Sequence, residues 1–136
     1  MKEIKLTEKE FRHLLDMAYI GNWVLNSTRG HDRITEYDNV ESKLFSYCKE
    51  FNMPVCVEFL EDTAMPSTAY ENGGIHEAIA DYEDSVFFEI LAEELARRDM
   101  DFEPVCPENF GELTSRIDEY IQEFEKNGID NITIDI

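Results

Sequence analysis

Four stretches of this chain repeat apolar residues at spacings of three and four, and that period most restricts the fold. An α-helix returns to the same face about every 3.6 residues, so such spacing lays an apolar stripe along one side. The first stretch follows Thr7-Glu8-Lys9-Glu10, a capping box in which the Thr7 hydroxyl closes the helix start and Glu10 reaches back. It carries Phe11, Leu14, Leu15, Ala18 and Leu25 on one side, with Met17, Ile20, Trp23 and Val24 widening the stripe. Asn26-Ser27-Thr28-Arg29-Gly30 stops it. Asn22 falls on the same face, where a buried amide needs hydrogen-bond partners and so either fixes helix packing or lines a pocket.

The second stretch is the most regular: Tyr37, Val40, Leu44, Tyr47, Cys48 and Phe51 form the stripe, and Asp38, Glu41 and Lys43 fall outside it. Residues 55–60 are compatible with a strand or a helical turn, and residues 62–74 read as a loop ending in Gly73-Gly74. After a short helical turn at Ile75, Ile79 and Tyr82 comes a third stripe, with Val86, Phe87, Ile90, Leu91 and Leu95 inward. The fourth places Phe110, Leu113, Ile117, Tyr120, Ile121 and Phe124 on one face and stops at Asn127-Gly128. At the two ends the period changes to two. Ile4 and Leu6 alternate with charges, and Ile132, Ile134 and Ile136 alternate with polar residues. The expected fold is mainly α (α+β): about four amphipathic helices in one core, short N- and C-terminal strands paired, and a single compact domain over residues 1–136.

Charge narrows the function classes. With 31 acidic against 12 basic residues, a net charge of −19 repels phosphates and anionic lipid, which argues against direct nucleic-acid binding and membrane association. A hydrophobic content of 43% argues against disorder. The N-terminal residues lack a signal-peptide core and no apolar run approaches a membrane span, so a soluble cytoplasmic protein is expected. Cys48, Cys56 and Cys106 form no C-x-x-C pair and predict neither a disulfide framework nor a zinc site. The acidity is uneven. Residues 1–51 hold nine acids and eight bases, whereas residues 71–136 hold nineteen acids and four bases, net −15.

No catalytic motif is present: G-x-S-x-G, the P-loop and G-x-G-x-x-G are absent, and Ala80 stands where a zinc-protease helix needs its second histidine. Three function classes are carried forward. The leading one is a non-enzymatic protein–protein interaction domain whose acidic surface in residues 71–136, including Glu83, Glu89, Glu93, Glu119 and Glu123, engages a basic protein partner. A second is a metal-dependent enzyme or metal-binding protein, in which His76 with Asp81 and Asp84, or His31, supplies ligands to a divalent cation. A third is mimicry of DNA, in which helix carboxylates stand in for phosphates. No other cofactor is indicated.

Overall fold

A computed structural model describes all 136 residues. Helix α1 (Glu8–Asn26) starts at the capping box: the Thr7 hydroxyl accepts from the Glu10 amide and the Glu10 carboxylate accepts from the Thr7 amide. Its buried stripe is Phe11, Leu15, Tyr19, Asn22 and Asn26, so apolar burial gives way to buried amides along the last two turns. Met17 and Val24, expected to widen the core face, are exposed.

Helix α2 (Thr35–Phe45) departs in part from the sequence pattern. Val40 is 56% exposed, and Tyr37 and Tyr47 are also exposed, while Phe45 and Cys48 are fully buried. Within α2 the inward line runs 38–41–45, round from the expected 37–40–44, while Leu44 is half-buried against the core and Cys48 and Phe51, beyond the helix end, pack in the core as the stripe predicts. The reason lies on α1. Asn22 and Asn26 are buried and need polar partners, and Asp38 and Glu41 turn toward Asn22 to provide them.

The only sheet is local. A single 3-10 turn at Pro54–Cys56 leads into β1 (Val57–Leu60), which pairs antiparallel with β2 (Thr63–Pro66) in the register Val57↔Pro66 to Leu60↔Thr63. The ambiguous residues 55–60 are thus a strand from Val57 onward. The expected terminal strands are not formed: residues 1–7 and 129–136 are without strand structure, and Ile4, Ile134 and Ile136 are exposed. A hairpin closed by two residues costs far less chain entropy than pairing the two ends of the chain. The mainly helical α+β class holds, with its strands in the middle of the chain.

After β2, Ser67 caps the single turn α3 (Thr68–Tyr70), its hydroxyl accepting from the Tyr70 amide. A kinked turn, Glu71–Ile75, follows, in which Gly74 leaves helical geometry at φ +110°. It leads directly into α4 (His76–Asp99), a single helix where the sequence suggested two. Helix α5 (Phe110–Asn127) ends at Gly128 as its sequence predicted. No helix is long and apolar enough to cross a membrane.

The chain divides into two compact units, Met1–Ile79 and Ala80–Ile136. Unit 1 has a continuous core of Phe11, Leu15, Phe45, Cys48, Tyr70 and Ile75 with their neighbours. Phe11 stacks on Phe51 at 4.0 Å, and Phe45 meets Tyr70 edge-on at 5.0 Å. In unit 2 the fully enclosed apolar residues are few, Ala92, Ala96, Leu113 and Phe124, with Phe88 lying 5.3 Å from the Phe124 ring. Tyr82, Phe87 and Ile90 remain exposed on α4 and Phe110 on α5.

Candidate functional site

Both units carry concave features built from chemically informative residues. In unit 1 it begins with Asn26, which is 1% exposed. Its amide donates to Asn22 Oδ1 at 2.7 Å and to the Ile34 carbonyl at 3.0 Å, and its oxygen accepts from the Ile34 amide at 2.8 Å. Asn26 therefore ties the end of α1 to the first turn of α2. Asn22 in turn donates to Asp38 at 2.9 Å and to Glu41 at 3.0 Å. Arg33 grips Asp38 with two bonds of 2.7 Å.

This chain of amides and carboxylates borders a cleft of about 330 Å³ lined by Tyr19, Asn22, Trp23, Arg33, Glu41 and Glu71 among others. Two neighbouring carboxylates here are driven in opposite directions. The Arg33 hydrogen bonds hold Asp38 below the usual aspartate range, whereas burial, assisted by the charge of Asp38, pushes Glu41 up. Burial, then the charges of Glu71 and Glu41, push the Tyr19 phenol up to about 12. Its hydroxyl lies 2.6 Å from His76 Nε2, and the His76 ring stands edge-on to Trp23 at 4.7 Å. Below, Tyr70 donates to Asp16 at 2.7 Å with the Arg12 guanidinium 5.1 Å from its ring centre.

In unit 2 the feature is a groove of about 410 Å³ between α4 and α5. Phe88, Ile121 and Phe124 supply apolar surface, and Asp84, Glu89 and Glu125 supply carboxylates; no Lys or Arg lines it. A second hollow on α5 is lined by Asp99, Arg116, Glu119, Tyr120 and Glu123. Here Tyr120 donates to Asp99, Arg98 bonds the same carboxylate at 2.9 Å, and Arg116 bonds Glu112 at 2.9 Å. Glu123 accepts from Asn127 at 3.0 Å and from Asn131 at 2.6 Å, which hold it below the usual glutamate range.

The residues singled out from the sequence separate accordingly. Glu83, Glu89 and Glu93 are exposed on α4; Glu119 and Glu123 share the α5 hollow, and Glu89 alone of the five borders the groove. His76 is half-buried against Tyr19 and Trp23, while Asp81 and Asp84 are exposed, as is His31 in its loop. No three His, Cys, Asp or Glu side chains come together as a metal site, so His76, Asp81 and Asp84 are not assembled as one. Cys48 is buried, and burial raises its thiol to about 11, the behaviour of a core residue rather than a nucleophile. Sequence reasoning missed Asp38, Glu41 and Glu71. The available signal was Asn22, whose place on an apolar face demanded polar partners from another element. No protein-family model, curated protein or solved structure matches this chain, so the geometry itself carries the functional reading.

Proposed function

We propose that this protein is a non-enzymatic interaction domain that engages a basic protein partner through the acidic surface of residues 71–136. The observation that carries the reading is the groove between α4 and α5, with aromatic and aliphatic surface at Phe88, Ile121 and Phe124 and carboxylates at Asp84, Glu89 and Glu125. An apolar surface supplies contact area and its acidic margin selects for Lys and Arg on the occupant. Exposed Phe87 and Ile90 on α4, 53% and 59% accessible, add apolar area to the same helix. Complementary charge speeds encounter, and the apolar floor retains what has arrived.

The test is titration with a cationic amphipathic helical peptide of alternating Leu and Lys faces, read by calorimetry at several salt concentrations. Binding is expected to weaken steadily up to about 1 M NaCl. Glu89→Lys combined with Glu125→Lys should weaken it about tenfold or more, whereas Glu36→Lys with Glu50→Lys changes net charge equally and should cost less. Binding unaffected by salt, or equal losses in the two double variants, would overturn the assignment to this groove.

A further inference from the structure

We propose that the cleft of unit 1 walled by Tyr19, Trp23, Glu41 and Glu71 binds an organic cation through its alkylguanidinium or alkylammonium group. This site is separate from the acidic groove of unit 2 and does not depend on it. Its volume, about 330 Å³, suits a small ligand or one long side chain. The charges around it do not cancel. Arg33 is committed to Asp38 through two bonds of 2.7 Å, which leaves Glu41 and Glu71 without an ion-pair partner. Glu41 is half-buried, and its only hydrogen bond comes from the Asn22 amide, which it shares with Asp38. A partly desolvated carboxylate without a counter-ion is costly, and a cation entering the cleft removes that cost.

The aromatic wall decides what kind of cation fits. Trp23, 37% exposed, and the buried Tyr19 both line the cleft, with ring centres 6.4 Å apart. Indole and phenol rings attract guanidinium and ammonium groups but offer nothing to a hard metal ion, which needs six or more oxygens. An anion is disfavoured because the single nearby cation, Arg33, is already neutralised by Asp38. The walls are held in place. Asn26 and Asn22 lock α1 to α2, and the Glu71 amide donates to the Ser67 carbonyl at 3.0 Å.

Trp23 is the only tryptophan in the chain, so its fluorescence reports on the cleft alone. The protein is titrated with agmatine and, separately, with N-acetyl-arginine amide, ionic strength being held constant with NaCl. A saturable change in Trp23 emission is expected. Glu41→Gln and Glu71→Gln should each weaken it about tenfold, and Glu50→Gln, an equal charge change on the surface, should leave it unaltered. Saturation by agmatine alone marks a free amine as the ligand; saturation by the blocked arginine alone marks a partner's side chain; saturation by both marks recognition of the cationic group as such. Circular dichroism shows whether each variant folds, and Glu71, which forms no ion pair, keeps an acceptor oxygen beside the Tyr19 hydroxyl as Gln, so Glu71→Gln tests the site independently. No saturable change up to about 10 mM of either compound, or a change insensitive to both variants, would overturn the proposal.

Discussion

Asn26 is the polar residue on which most of unit 1's local geometry turns. A buried amide is tolerated only when its donors and acceptor are satisfied, and Asn26 satisfies both backbone groups of Ile34 and the oxygen of Asn22 in return. Asn26→Ala leaves the Ile34 amide and Asn22 Oδ1 without those partners and opens a small cavity. It is expected to cost about 2–3 kcal/mol, read from the shift in urea midpoint. A cost below about 0.5 kcal/mol would mean that water replaces the amide and that Asn26 does not set the helix rotation. Glu41, one contact away, acts with the opposite sign. Its folded-state pKa lies above the unfolded value, so its protonated form is the one that favours folding. That contribution is complete below the ordinary glutamate value of 4.5 and is lost as pH rises through the folded value. At neutral pH the ionised Glu41 therefore destabilises the fold. Glu41→Gln keeps an oxygen for Asn22 and should raise the thermal midpoint at pH 7, the gain vanishing as pH falls below 4.5. A stabilising substitution that also weakens cation binding is the signature of a site maintained at the expense of stability. Asp38 runs the other way: its depressed pKa gives stability above the ordinary 3.8 that is lost on acidification.

At the scale of elements, the kinked turn Glu71–Ile75 joins β2 and α3 to α4. Gly74 sits at φ +110° with no atom within 4 Å of where a Cβ would be, so the obstacle to a side chain there is the backbone conformation alone. Gly74→Ala should therefore cost about 1–3 kcal/mol, whereas Gly73→Ala, equally uncrowded and without positive φ, should be neutral or stabilising by up to about 1 kcal/mol. Chemical denaturation of the two variants checks the contrast, and equal effects would show that the turn relaxes without cost. Only the Gly73-Gly74 pair announces this turn among the residues, because its conformation is imposed by what precedes and follows it. Legibility elsewhere followed the range of the interaction. The Thr7 capping box, the Gly128 stop and the span of α5 are fixed within a few residues of themselves and were readable. The rotation of α2 was not, because Asn22 lies on another helix and its demand for Asp38 and Glu41 outweighs the α2 apolar stripe. The terminal alternations had the strand period but no partner, and period alone does not supply one. The candidate cleft was legible only through Asn22; the acidic surface was legible as composition, and its groove was not.

For the whole molecule, the net charge of −19 resolves into two unequal parts. Unit 1 carries fourteen acids and eight bases, and unit 2 seventeen acids and four bases, net −13 in its shorter length. Six ion pairs are formed in all, every one of them partly exposed to solvent, so each contributes about 0–1 kcal/mol. Salt acts on both sides of this balance: it weakens those pairs and screens the repulsion among the remaining carboxylates. Acids outnumber bases by 31 to 12, so the repulsive term is the larger and NaCl should stabilise the fold. Raising NaCl from about 0.05 to 0.5 M is expected to lift the thermal midpoint by about 3–6 °C, equivalent to roughly 1 kcal/mol. The gain should belong chiefly to unit 2. Replacing Glu93, Glu119 and Glu125 by Gln should reduce the salt response more than the same change at Glu3, Glu36 and Glu50, which lie among the more evenly balanced charges of unit 1. Amide hydrogen exchange at low and high salt separates the two units directly, with protection in α5 rising more than protection in α1. A midpoint that falls with salt, or an equal rise in protection of both helices, would mean that the carboxylates of unit 2 are already well solvated and that no repulsion is stored there for a basic partner to relieve.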